Sequence, residues 1–247
     1  MSRPASTAAA TLAQTTMELR LTARRGENVL VTILIPAIVL VFFASVPVIS
    51  VAGRRPVEAL LPGVLALAVI ATSFVNLGIA TAYERSYGVL KRLGGSPLGR
   101  PALVAAKLIA VLAVELAQLV LLVGIGLALG WNAGAGASPV LFAAAWLLGT
   151  AAFAGLGLLM AGALRAEATL ALANGLFVGF VLLGGIVVPV AQLPTPLDAV
   201  ASVLPSGALA ESFRVALDGG QAGGPLLVLA AWAIGAVVAA ARTFRWE

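Results

Sequence analysis

The residues of this chain that could perform chemistry are few, and they form no catalytic set. The 247-residue sequence contains no histidine and no cysteine. This absence excludes His-ligated haem, HExxH zinc sites and a Ser–His nucleophile pair within the chain, and no GxSxG elbow surrounds Ser206. The motif GxxxxGK[ST] is also missing, and neither of the two lysines follows a glycine-rich phosphate loop. The sequence therefore predicts a chain that is not an enzyme and that holds no metal or cofactor of its own.

The stretch from Tyr83 to Lys107 is the one long basic interruption in an otherwise apolar chain. It carries five of the fifteen Lys and Arg residues and a single acid, Glu84. Residues 87–93 can continue a helix, and residues 94–97 (Gly-Gly-Ser-Pro) break it before the next apolar run. A helix, a break and a second helix with mixed aromatic and charged side chains favour a loop that docks a protein partner. Binding of anionic lipid headgroups by the basic side chains is the alternative.

Four residues with amide or carboxyl groups lie inside the apolar runs, where such a group needs a partner, and Thr72 and Ser73 in the second span need partners for the same reason. Glu115 could be a proton relay, a substrate contact, the partner of a basic side chain or a hydrogen-bonded structural carboxyl. Gln118 lies one helical turn further on and can share its site. Asn76 and Asn174 are predicted mainly as hydrogen-bonding groups of helix packing. All four are candidates for lining a substrate path.

The composition places these residues in a membrane. The chain is 61% hydrophobic and only 10% charged, and its mean hydropathy is +1.09. Several apolar runs reach the roughly 20 residues that a helix needs to cross a bilayer. The net charge of +5 is then explained by topology and anionic lipid instead of nucleic acid. We therefore predict an all-α polytopic membrane protein with a single membrane domain over residues 1–247.

Six transmembrane helices are expected, with an N-terminal interfacial helix on the cytoplasmic surface within residues 1–28. The spans are predicted at residues 29–51 (with kinks at Pro36 and Pro47), 59–82, 103–130, 140–164, 168–188 and 225–241. Trp131, after the third span, is predicted to anchor at the membrane interface. Residues 189–224 contain several prolines and are predicted as an extracytoplasmic re-entrant segment with two short helices, 197–204 and 208–217.

The distribution of basic residues predicts the orientation. Twelve of the fifteen Lys and Arg residues fall in the N-terminal segment, the 83–107 loop, the 165–167 turn and the C-terminal segment. The remaining three fall on the other side of a six-span topology. The positive-inside rule then places both termini and the 83–107 loop in the cytoplasm of a multi-pass membrane protein.

One motif in the basic loop is specific. The pattern ER(x)₂GxL(x)₂L(x)₃P(x)₂R runs from Glu84 to Arg100. It resembles the cytoplasmic-loop signature of the permease subunits of type-2 bacterial ABC exporters, which include drug-resistance, polysaccharide and lipid export permeases. The six spans, the amphipathic N-terminal segment and the proline-broken segment before the last span are also similar to that family.

The resemblance implies a coupling loop at residues 83–102 that sits on a separate cytosolic ATPase, with ATP and Mg bound by that partner. The implied coupling residues are Glu84, Arg85, Tyr87, Gly88, Leu90, Lys91, Arg92, Leu93, Pro97 and Arg100. It also implies a dimer with a second permease copy, identical or not, and a pathway at their interface. Gly175 and Gly179, spaced as GxxxG in the fifth span, are the candidate dimer contact.

Three functions remain open on the sequence. The first is the membrane subunit of an ATP-driven exporter whose cargo is hydrophobic or amphipathic, such as a drug or a lipid. The second is an ATP-independent secondary transporter that uses Glu115 for proton coupling. The third is a membrane scaffold in the assembly of a respiratory complex or in haem assembly.

Overall fold

A computed structural model describes residues 6–24, 26–46, 55–94, 99–186, 195–220 and 222–243. These residues form α-helices, one π-helix and short connections, and no strand occurs among them. In chain order the helices are α1 (Thr7–Arg24), α2 (Gly26–Ser45), α3 (Pro56–Ile70), the π-helix (Ala71–Asn76), α4 (Leu77–Ser86), α5 (Val89–Gly94), α6 (Arg100–Ala128), α7 (Pro139–Ala163), α8 (Ala166–Leu183), α9 (Thr195–Val203), α10 (Pro205–Asp218) and α11 (Gly223–Thr243). The predicted all-α fold is confirmed.

Proline marks where several of these helices begin. Pro56, Pro101, Pro139 and Pro205 each lie in the first turn of a helix, where the missing N–H removes no intrahelical bond. In α7 the Ser138 hydroxyl also accepts a hydrogen bond from the Leu141 N–H at 3.3 Å, as an N-cap does. The local sequence therefore encodes where these helices begin.

The span formed by α3, the π-helix and α4 lies at the centre of the bundle. In its most apolar window 83% of the residues are buried, whereas the value for α8 is 17%. The π-helix crosses α7 closely, because a Cβ on Gly157 would lie 2.8 Å from the Phe74 carbonyl oxygen. Glycine at this crossing lets the two backbones approach, as small residues do between membrane helices.

Five helices are long and apolar enough to cross a membrane, and the bent pair α9–α10 could provide a sixth crossing. The pair turns by 85° between its two helices, which agrees with the prediction of two short helices before the last span. In addition, α2 is 20 residues long. Its segment from Thr32 to Ser45, where the side chains are described, is apolar but shorter than the five spanning helices. The large apolar side chains exposed on these helices suit contact with lipid.

Three details differ from the sequence-based predictions. The sequence predicts a first span up to residue 51, whereas α2 ends at Ser45, with Pro36 in its interior; residues 47–51, including Pro47, lie outside the described residues. The fifth span ends at Leu183, about a turn early, where Gly184 and Gly185 follow in a turn. Trp131 is only 6% exposed and packs in the main core instead of at the surface; the chain folds back after α6, where the backbone N–H of Trp131 donates to the Gly126 carbonyl.

Candidate functional site

The end of α4 is fastened to the end of α7 by Arg85. Its Nη1 donates to the carbonyl oxygens of Ala161 and Gly162, and its Nη2 donates to that of Leu164 at 3.1 Å. These are carbonyls at the C-terminus of α7, which have no partner within the helix. A guanidinium there satisfies them and also interacts favourably with the negative end of the helix dipole.

The neighbouring Glu84 belongs to a partly buried cluster of three charged residues. Lys107 of α6 is 4% exposed, and its Nζ lies 2.6 Å from Glu84 Oε2 and 3.1 Å from Glu18 Oε1. Gln14 also donates to Glu18 Oε1 at 2.8 Å. This cluster, which we call the Lys107 triad, joins α1, α4 and α6. The predicted interfacial helix α1 is therefore packed on α6 as well as lying at the edge of the bundle.

Of the other described residues of the loop signature, some are buried in the protein and some are exposed on its surface. Leu90 is fully buried and packs with Leu103, while Leu93 packs at the edge of the same small cluster. Tyr87 is 72% exposed, and Lys91 and Arg92 are exposed on α5.

Gly88 makes the turn between α4 and α5 with φ +70°, a conformation that favours glycine. Pro97 and the side chain of Arg100 lie outside the described residues. Part of the signature therefore anchors the short helix α5, and part of it faces outward.

The π-helix carries a polar network in the middle of the bundle. The Thr72 hydroxyl donates to Gln118 Oε1 at 2.9 Å, and Gln118 Nε2 donates to the Thr32 carbonyl at 3.1 Å. Asn76 Nδ2 donates to the Thr32 hydroxyl at 2.8 Å. These bonds connect α2, the π-helix and α6, as polar side chains do inside membrane bundles.

Glu115 faces a different helix from Gln118. It is fully buried, and its Oε2 accepts hydrogen bonds from Trp146 Nε1 at 2.7 Å and from the Thr150 hydroxyl at 2.6 Å, both on α7. Glu115 and Gln118 are one turn apart on α6 and have different hydrogen-bond partners. Gln118 turns toward α2 and the π-helix instead.

The outer face of α8 carries the candidate dimer residues. A Cβ on Gly175 or on Gly179 would meet no atom within 4 Å. Asn174, beside them, is exposed, and its Nδ2 donates to the Leu170 carbonyl of its own helix at 2.8 Å. Most of α8 is exposed within this single chain, so its small and polar residues are open to a neighbour.

A cleft of about 620 Å³ lies between α1, α2, the π-helix, α4, α6 and α8. A volume of this size is typical of ligand sites. Its apolar walls include Val75, Val111 and Val114. The hydrogen-bonding or charged residues along it are Glu18, Thr22, Thr32, Thr72, Asn76, Tyr83, Tyr87, Lys107 and Asn174. Of the four predicted path residues, Asn76 and Asn174 line this cleft, whereas Glu115 and Gln118 do not.

Thr72 was expected to need a partner and finds one in Gln118, whereas the sequence did not single out Thr32, Glu18 and Tyr83 for this region. The pairing of Glu18 with Lys107 could have been predicted, since opposite charges beside two apolar helices favour an ion pair at the membrane boundary. The role of Thr32 could not, because a threonine in an apolar run is common. Within the described ranges no group of three or more acidic residues could hold a metal ion.

Comparison with known proteins adds one match. The family model described as ABC-2 type transporter matches residues 10–217, which is most of the chain. No curated protein matched the sequence. The matched region contains α1, the basic loop, the cleft and the bent pair α9–α10.

Proposed function

Because the chain belongs to the ABC-2 type transporter family and is thus the membrane subunit of an ABC transporter, we propose that it is the permease of an ATP-driven exporter. One observation carries the proposal: the short helix α5 packs inward through Leu90 and Leu93, whereas Arg92 on α5 and Tyr87 just before it are exposed. A partner bound to the exposed side chains of Tyr87 and Arg92 would move α5. The contacts of Arg85 and of the Lys107 triad would then transmit that movement to several spans.

The path of this movement follows from the anchoring contacts. Arg85 joins the end of α4 to α7, and the Lys107 triad joins it to α6 and α1. The central span continues from α4 through the π-helix to α3, so a tilt of α4 changes the packing of the whole centre. A π-helix inside an α-helical span is a feature often found at functional sites. Energy comes from the ATPase partner, since the sequence holds no nucleotide-binding motif.

The cleft supports a route for cargo on the same side as α5. It extends on α6 from Lys107 to Val114, about 10 Å along the helix axis. In the proposed orientation this is the cytoplasmic half of the membrane, which supports entry of cargo from the inside. Closure of the ATPase dimer would then shift the population toward a state open to the outside.

A second permease copy would complete the pathway. The exposed face of α8, with Gly175 and Gly179 open to close approach, is the proposed contact. Asn174 on that face and Asn76 in the cleft would then leave lipid and line the space between the two copies. Under this proposal both termini are cytoplasmic, and the bent pair α9–α10 lies on the outer side.

The experiment is capture of the ATPase with the tagged permease, after cross-linking in native membranes and identification of the captured chain by mass spectrometry. A chain with ABC ATPase motifs should be recovered in near-stoichiometric amount. Tyr87→Ala combined with Arg92→Glu should reduce recovery at least tenfold while leaving the permease folded. Arg20→Glu, an exposed basic residue on α1, is the matched control and should leave recovery unchanged. A folded permease that captures no ATPase would overturn the proposal.

A further inference from the structure

The end of the cleft nearest α5 is aromatic. Tyr83 and Tyr87, the only two tyrosines of the chain, both line it, with ring centroids 6.0 Å apart and ring planes tilted by 31°. Tyr83 is half-buried, and it packs on its other side against the cluster of Ala82, Ala161 and Ala166. Two adjacent ring faces at the end of an apolar cleft are the groups that bind organic cations through the ring quadrupole.

The charges at the tyrosine end of the cleft also favour a cation. Lys107 is in contact with two carboxylates, Glu18 and Glu84, so the Lys107 triad has one positive and two negative groups. An anionic headgroup would therefore meet an ammonium that is already neutralised, and it would be repelled by the excess carboxylate. The exposed basic residues Arg20, Arg24, Lys91 and Arg92 are not among the residues that line the cleft.

The rest of the cleft suits an apolar body. Beyond the tyrosines its walls are formed by aliphatic side chains of the π-helix, α4 and α6, with hydroxyl and amide groups placed at intervals. The volume of about 620 Å³ accommodates a molecule of drug size.

We propose that the cleft binds an amphipathic organic cation, with its positive group between the tyrosine rings and the Lys107 triad and its apolar body against α6. This names the cargo class of the exporter and rests on the proposed function only in calling that ligand a cargo. Tyr83 then acts as a binding residue, and Glu18 supplies negative charge.

The test is binding of rhodamine 6G, an amphipathic cation, to the permease alone in phosphatidylcholine nanodiscs, followed by fluorescence anisotropy. Saturable binding is expected. Tyr83→Leu should raise Kd about tenfold, equivalent to about 1.4 kcal/mol, whereas Tyr83→Phe, which keeps the ring, should stay within about twofold. Ala110→Phe, which fills the cleft, should abolish saturable binding. The anion 8-anilinonaphthalene-1-sulfonate should show no binding that depends on these substitutions.

A matched control is Trp232→Leu, which removes an aromatic side chain from a separate apolar groove between α7 and α11; it should leave Kd unchanged. The proposal is overturned if rhodamine 6G does not bind, if the anion binds the cleft equally well, or if Trp232→Leu weakens binding as much as Tyr83→Leu. Each variant is first checked for monodisperse elution and native helicity. The assay contains no ATPase, so its failure leaves the ATPase-capture result standing, and the reverse also holds.

Discussion

At both ends of the helix bundle, arginine side chains donate to carbonyls at helix C-termini, but the surfaces beside these contacts differ. At the end near α5, Arg85 holds the last carbonyls of α7. At the opposite end Arg214 donates to the Gly185 carbonyl after α8 at 3.1 Å, and Arg55 donates to the Gly130 carbonyl after α6 at 2.7 Å. Arginine therefore satisfies the C-terminus of a spanning helix at both ends, where no further helical N–H is available.

The difference lies in what remains exposed beside these contacts. The helix α10 is buried along most of its length, and the loop after α6 takes up its final carbonyls: the Gly134 N–H donates to Leu217 and the Ser138 N–H to Ala216. Near α5, by contrast, the basic side chain of Arg92 on α5 and the ring of Tyr87, at the end of α4, are exposed. One end is closed by its own chain, and the other end presents a surface that suits a partner.

The largest effect on this comparison is expected from Arg85→Ala. Three carbonyls at the end of α7 would lose a charged donor, which we expect to lower the free energy of unfolding by about 3 kcal/mol. Thermal unfolding of the purified permease in detergent measures this. Arg92→Ala, seven residues further along the same loop, should leave the unfolding temperature unchanged and reduce only ATPase capture. Equal destabilisation by both substitutions would contradict the division of the loop into anchoring and outward residues.

Lys107→Met should come next, at about 2–3 kcal/mol, because it leaves two carboxylates close together in a partly buried site without their counter-charge. The contact of α1 with α6 would loosen, so trypsin should cleave faster after Arg20 and Arg24. Neutralising both acids as well, with Glu18→Gln and Glu84→Gln, should recover most of the lost stability. If the triple variant is no better than Lys107→Met, the charge cluster does not hold α1.

Arg214→Met tests the opposite end. It removes the contacts with the Gly185 carbonyl and with Glu211 Oε2, which lies 2.6 Å from Nη1. Because the methionine still fills the space, we expect a loss of about 1.5–2 kcal/mol. Recovery of the ATPase should be unchanged relative to the amount of folded permease. A loss of ATPase capture greater than the loss of folded permease would show that the Arg214 end also affects binding of the ATPase.

The smallest effect is expected from Glu115→Gln. The amide oxygen of glutamine can still accept from Trp146 and Thr150, so the change in unfolding free energy should stay below about 1 kcal/mol. Efflux of rhodamine 6G from vesicles that contain the permease and its ATPase should continue with ATP and survive a protonophore. Transport that needs no ATP and is lost in this variant would support the secondary transporter instead.

Much of the fold could be predicted from the order of residues along the chain. Apolar runs of helical length, prolines at helix starts and the proline-rich segment after residue 188 indicated the helices within a few residues. The π-helix was not predicted; it lies where the central span crosses α7 at Gly157, a contact between residues about 80 positions apart that no local pattern contains. The end of α2 also differed, since apolarity alone continues beyond Ser45.

The candidate site was predicted less completely. The polarity of Asn76 and Asn174 in apolar runs marks both as candidates, and both line the cleft. Glu115 and Gln118 are candidates for the same reason, but they bond to residues of α7 and of α2 and the π-helix. Their polarity indicated that they need partners, and only the packing shows which ones.

The sequence by itself determined that this is a helical membrane protein of the ABC-2 type, because length, apolarity and one loop motif are properties of a linear chain. The tertiary structure decided which residues of that motif hold the bundle together and which face outward, and it made a cleft from five separate segments of the chain. The physical reason is that hydrogen bonds, ion pairs and ring faces depend on the rotation and close approach of helices far apart in sequence. A local pattern does not contain that information.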